Sequence, residues 1–180
     1  RFNVNLDQDN EIIVTLGSKE GLANLAQAIT SKGDKIICPD PSYPVHPYGF
    51  MIAGAKLIPL QTIFNGYFDQ EKYLSNLEKY LKKNSSVKAI ISSFPSNPTA
   101  QVVSLDFYKE LIKLAFTYDT FVLSDLAYSE IYFGKTPPPS ILEVRNAKKI
   151  AIEFTSLSKT YAMAGWRIGF AVGNKVLIQA

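Results

Sequence analysis

Several residues able to do chemistry occur at separated points of this chain, each just beyond a short apolar run. Lys159 ends Thr155-Ser156-Leu157-Ser158-Lys159, three residues after the Ser156 hydroxyl. An amine leaving a buried strand is one whose pKa a site can lower for imine chemistry. Asp125 follows another apolar run, with Tyr128 three residues on. An acid there is costly unless a cation or donors pair with it, and a protonated ring nitrogen would be such a cation. Asn97 lies between Ser96 and Pro98, where its amide could donate to a ring oxygen. Tyr43 is framed by Pro41 and Pro44, a rigid aromatic that could stack on a flat ring. Gly17-Ser18-Lys19 opens a helix, whose free amides and partial positive charge favour an anion. Arg167, eight residues past Lys159, could fork onto a phosphate.

Each has an ordinary structural use as well. Ser18 could cap its helix, as could Asp125, and Asn97 could close an Asx-type turn. Tyr43 could be a half-buried packing residue, Lys159 a solvated lysine and Arg167 a surface or domain-interface pair. What separates the two readings is where the elements put these residues.

Apolar, β-branched runs at residues 11–15, 35–38, 55–60, 87–92, 120–124, 149–154 and 167–172 read as seven strands. Helical periods lie between them. One opens at Gly17 with Leu22, Leu25, Ala26 and Ile29 on a face and stops at Lys32-Gly33-Asp34. A second spans residues 74–81, and a third spans 105–118 with Phe107, Leu111, Leu114 and Ala115 inward. The prolines of residues 39–44 argue against sheet interior there, and Gly134 to Pro139 reads as a surface loop. Strands alternating with helices predict a mostly parallel sheet covered on both faces. Ligands of such sheets sit beyond the carboxyl ends of the strands. An anion nest, an aromatic plate, an amide, an acid and an amine then share one rim. Together they are the parts needed to hold a phosphorylated pyridine aldehyde.

Composition narrows the field. The 180 residues suffice for one domain, and 47% hydrophobic with 19% charged residues exclude a disordered or fibrous chain. Net charge is +3 with no basic block, which gives nucleic acid no footprint. Apolar runs are strand-sized, so no membrane span and no membrane partner are expected. Cys38 is the lone cysteine, which excludes an internal disulfide and a cysteine metal site, and no metal is expected. Neither GxGxxG nor a P-loop occurs, which counts against a dinucleotide enzyme. There is no signal-like amino terminus; the first residue is Arg, so upstream sequence is expected.

The chain resembles the fold-type I pyridoxal-phosphate enzymes, in particular class I/II aminotransferases. The resemblance rests on residues 15–21 (TLGSKEG), 41–44 (PSYP), 94–101 (FPSNPTAQ), 124–128 (SDLAY) and 156–169 (SLSKTYAMAGWRIG), in the family's order from end to end. It implies a three-layer α/β/α sandwich whose seven-stranded sheet has one antiparallel strand, near residues 168–172. It implies pyridoxal 5'-phosphate as cofactor and transamination between an amino acid and a 2-oxo acid through a Lys159 Schiff base. Lys159 would then shuttle a proton between substrate Cα and cofactor C4′. Asp125 would pair with the ring nitrogen, Tyr128 and Asn97 with the phenolic oxygen, and Tyr43 would stack. Ser18, Lys19, Ser156 and Arg167 would hold the phosphate. The NPTAQ, PSYPVH and DLAY versions are most similar to glutamate–pyruvate (alanine) transaminases and their diaminopimelate and aspartate cousins. Family members are roughly twice this length, so residues 1–180 would be the cofactor-binding large-domain core. The amino-terminal arm and the small domain with the substrate-carboxylate arginine would lie outside it. A cytoplasmic homodimer in amino-acid biosynthesis is implied too. Alternatives on the same rim are a lyase or decarboxylase reaction, or a non-catalytic ligand-sensing domain. His46, the one histidine, follows Tyr43 closely and could approach substrate, but reads as a structural or surface residue.

Overall fold

The structure is a computed structural model and describes residues 2–84 and 86–180. Seven strands form one sheet: β1 (Ile12–Thr15), β2 (Lys35–Asp40), β3 (Lys56–Gln61), β6 (Val87–Ser93), β7 (Phe121–Asp125), β8 (Ala151–Ser156) and β9 (Gly169–Gly173). Their order is β1-β9-β8-β7-β6-β2-β3. β9 runs antiparallel to both its neighbours, and the other pairs are parallel. The expected mostly parallel sheet with one antiparallel strand is therefore present. A small hairpin, β4 (Ile63–Phe64) with β5 (Tyr67–Phe68), stands apart.

Helices cover both faces because each presents one apolar stripe. α1 (Ser18–Ile29) buries Leu22, Leu25 and Ala26 in a core that also takes Phe50 of α2 (Val45–Ile52) and Leu177 of α6 (Lys175–Gln179). On the other face α3 (Gln70–Lys83) buries Tyr73, Leu77 and Leu81, and α4 (Leu105–Thr117) buries Phe107, Tyr108, Leu111, Ile112 and Ala115. Asp69 and Ser104 cap these two helices by accepting from Lys72 N and Phe107 N. The short helix α5 (Leu157–Thr160) carries Lys159.

One expectation changes, and one helix is added. Residues 39–40 continue β2, because from Cys38 onward it pairs only β3, and the side once facing β6 no longer needs a donor from Pro39. Residues 45–52, which show no strong periodicity, form α2 directly after Pro44.

One buried acid lies beneath the rim. Glu153 is 2% exposed, and burial pushes its carboxyl up to about 7 against the pull of donors from Ser140, Ile141 and Ser124. A carboxyl held above its ordinary 4.5 contributes stability that is present below that value and lost as pH rises through about 7. The loss amounts to about 3 kcal/mol. Glu153→Gln is therefore expected to flatten this part of the profile and to be the more stable protein near neutral and alkaline pH. Urea midpoints across the window check it, and parallel profiles for the two proteins would contradict it.

Candidate active site

Six parallel strands deliver their carboxyl ends to one rim, and β9 delivers its amino end there because it runs the other way. Thr15, Gly169 and Ser156 are register neighbours across β1, β9 and β8. Arg167, two residues before β9, consequently reaches the same rim as Ser18. A cavity of about 180 Å³ sits at this rim, lined by Ser18, Lys19, Tyr43, Asn97, Asp125, Tyr128, Ser156, Lys159 and Arg167, with Ala127, Ser158 and Ala164. All nine residues singled out from the sequence thus face one space. A larger cavity of about 1060 Å³ shares Asn97 and Tyr128 but has mainly apolar walls from Pro95, Val102, Ile131 and Phe133. Lys19, Asp125, Lys159 and Arg167 line the small one, whereas Glu143 is the charged residue of the larger.

Within it the groups are ordered from anion to cation. At one end the Arg167 guanidinium donates to Leu16 O at 3.3 Å, Ala164 O at 3.1 Å and Ser158 Oγ at 3.3 Å. Ser18 and Ser156 flank it, and the first amides of α1 have no intrahelical acceptor. These donors are what a dianion needs. Lys19 Nζ lies 5.4 Å from the centre of the Tyr43 ring. Asn97 Nδ2 donates to Tyr128 Oη at 3.4 Å, and Lys159 Nζ is 5.8 Å from the Tyr128 ring centre. At the other end Asp125, 8% exposed, accepts from Ala127 N at 3.2 Å through Oδ1. This is an Asx-type turn rather than the helix cap that is the ordinary alternative for Asp125, since no helix directly follows it, and it coexists with the place of the acid in the cavity.

Two glycines permit the anion end. Gly17, with φ 87° and ψ 158°, lies in a region essentially closed to side chains, and a Cβ there would come within 2.5 Å of Arg167 Nη2. It is Gly17, not Ser18, that occupies the cap position, and no side-chain cap bond forms, so Ser18 remains available to the cavity. At Gly169 a Cβ would meet Thr155 O at 2.7 Å, Ser18 N at 2.8 Å and Gly17 C at 2.9 Å, all backbone. Gly169→Ala is accordingly expected to lower stability by about 1–3 kcal/mol and to push the start of α1 off the rim. Urea denaturation with a titration of inorganic phosphate checks both effects. Unchanged values would mean that the rim can give way at no cost.

His46, read from the sequence as a structural or surface residue, takes the structural place. His46 is fully buried, and its Nε2 lies 2.9 Å from Asp125 Oδ2. A carboxylate only accepts, and Nδ1 has no partner among the described residues, so the proton sits on Nε2 and is donated to Asp125. His46 is therefore neither a surface residue nor a member of the cavity wall: it stands behind the acid. The available signal was its three-residue spacing from Tyr43. His46 N donates to Tyr43 O at 3.0 Å, one turn that sends the ring inward beside Tyr43.

Comparison with known proteins gives the family. Over 181 residues the chain is 50% identical to a putative aminotransferase, AatC, of Rhizobium meliloti (strain 1021), covering all of this chain and 44% of that protein. It is 47% identical to the glutamate-pyruvate aminotransferase AlaC of Escherichia coli (strain K12), again over its whole length and 43% of the relative. The chain thus spans less than half the length of these curated relatives. Among solved structures, an aminotransferase from Staphylococcus aureus superposes with a TM-score of 0.86 at 35% identity, covering 99% of this chain and 46% of that one. The family described as aminotransferase class I and II matches residues 1–180 without interruption, and it is to this family that the chain belongs.

Proposed function

We propose that this chain is the cofactor-holding core of a transaminase and that it exchanges an amino group between an amino acid and a 2-oxo acid. Class I and II aminotransferases use pyridoxal 5'-phosphate, and the donor set of the 180 Å³ cavity fits that group. The anion end, Ser18, Lys19, Ser156 and Arg167, suits its phosphate, aided by the close approach that Gly17 and Gly169 allow. Tyr43 offers a stacking face, Asn97 and Tyr128 converge on the place of a ring oxygen, and Asp125 offers a carboxylate to a ring nitrogen. When bound, the group supplies an aldehyde for an amine and an electron-poor ring that accepts an electron pair from the substrate Cα.

The remaining work falls to side chains of this chain. Lys159 would hold the group through its amine and, when that amine is free, would take the Cα proton of the substrate. Asp125 keeps a proton on the ring nitrogen by offering it a fixed negative charge, and His46 fixes the direction of that carboxylate. Similarity to a glutamate-pyruvate aminotransferase supports an alanine/glutamate pair of substrates. The exposed Met51 and Ile52 of α2, with Tyr161 and Trp166 beside the rim, support a homodimer. A cytoplasmic enzyme of amino-acid biosynthesis fits a chain whose only cysteine is a buried thiol.

The observation that carries the reading is that nine residues from six separate segments line one cavity. It is tested by adding pyridoxal phosphate, recording the visible spectrum, reducing with borohydride and mapping the modified peptide by mass. The expected adduct is on Lys159. Attachment elsewhere, or none, would overturn the proposal.

A further inference from the structure

The face of the sheet opposite the cavity carries an unusual row. Ser92, Ser124 and Glu153 are register neighbours on β6, β7 and β8, all of them buried. Strand side chains alternate between faces, so the next residue after Ser124, Asp125, and the third after Glu153, Ser156, point to the cavity instead. Glu153 therefore lies directly behind the rim.

Its bonds join separate stretches of chain. Ser124 Oγ donates to Oε2 at 3.1 Å, and Ile141 N donates to the same oxygen at 3.1 Å. Ser140 Oγ donates to Oε1 at 2.5 Å and itself accepts from Leu142 N. Ser124 and Ser140 bracket the excursion that leaves β7 at Asp125, carries Tyr128 and passes through Pro137, Pro138 and Pro139. Glu153 itself is on β8, six residues before Lys159. One carboxyl thus ties both ends of the segment bearing Tyr128 to the strand that leads into α5 and Lys159. An apolar residue of similar size would fill the volume without the desolvation cost of an acid. Only a group with two acceptor oxygens serves three donors from two segments at once.

We infer that Glu153 is a positioning residue, a clip on the far side of the sheet that sets Tyr128 and Lys159 relative to one another. The inference rests on the roles proposed for those two residues, whereas the clip itself can be measured without cofactor. Gln in place of Glu keeps an acceptor at the Oε2 position and a polar group facing Ser140. Ala leaves three donors unmet.

The test compares Glu153→Gln, Glu153→Ala and Ser140→Ala with wild type in the full-length enzyme. Hydrogen exchange of the cofactor-free protein, the dissociation constant for pyridoxal phosphate and the separate kcat and KM values are the readouts. Glu153→Ala is expected to speed exchange across residues 126–142, to weaken the cofactor about ten-fold and to lower kcat with little change in KM. Glu153→Gln is expected to restore all three to within about two-fold, since its acceptor is kept. Ser140→Ala, a milder lesion, should fall between them even if the Glu153→Ala protein does not fold. A Glu153→Ala protein that loses only thermal stability, or a Gln variant as impaired as the Ala variant, would overturn the inference. If wild type fails to bind pyridoxal phosphate, the functional reading falls, and the exchange rates alone decide the clip.

Discussion

Lys159→Ala in the full-length enzyme is expected to abolish borohydride-stable cofactor attachment and to lower turnover about ten-thousand-fold, the upper end of what a placed proton-transfer group supplies. The reason is positional. Lys159 is the one lysine that shares the cavity with both Asp125 and Tyr128 apart from Lys19, and Lys19 sits over Tyr43 at the other wall. No neighbour can therefore take over its task. Added primary amines should restore part of the rate, because the hole left by the side chain opens onto the Tyr128 ring. Normal turnover with the cofactor still attached would remove Lys159 from the mechanism.

Asp125→Ala should behave differently. Lys159, Arg167 and the two serines remain, so pyridoxal phosphate is expected to stay attached while turnover falls about a thousand-fold, as when a single preorganised charge is lost. Partial lesions separate the charge from its aim. His46→Leu removes the donor to Oδ2 but leaves Ala127 N on Oδ1, and a loss of about ten-fold is expected, the worth of a hydrogen bond to a charged group. His46→Gln can again present a donor to Oδ2, and it should recover most of that loss. Steady-state rates with the spectrum of the bound cofactor give the comparison. Equal losses for Asp125→Ala and His46→Leu would mean that the histidine, not the acid, is the group that matters.

Much of this was legible in residue order. The strand at 120–124 is followed by Asp125, that at 87–92 by the Ser96-Asn97-Pro98 turn, and that at 149–154 by Ser156 and Lys159, so the rim could be assembled on paper from strand ends alone. The strand boundaries moved by a residue or two, and Pro39 joined β2, because the state of a strand end depends on which neighbours still pair with it. His46 and Glu153 were not legible in the same way. A histidine and a glutamate are ordinarily exposed, and what sets these two apart is burial against partners 79 and 29 residues away.

Residue order by itself determined the chemistry on offer and the rim at which it gathers, since apolar periodicity decides helix or strand and the next polar residue is covalently tied to the strand's end. Tertiary structure alone decided what stands behind that rim. Which acid is steered by His46, which loop is tied down by Glu153, and how closely Gly169 lets β9 approach Ser18 all depend on distances between segments remote in the chain. Those distances are set by the packing of the sheet and its two helical layers, a collective property that no local stretch of sequence encodes.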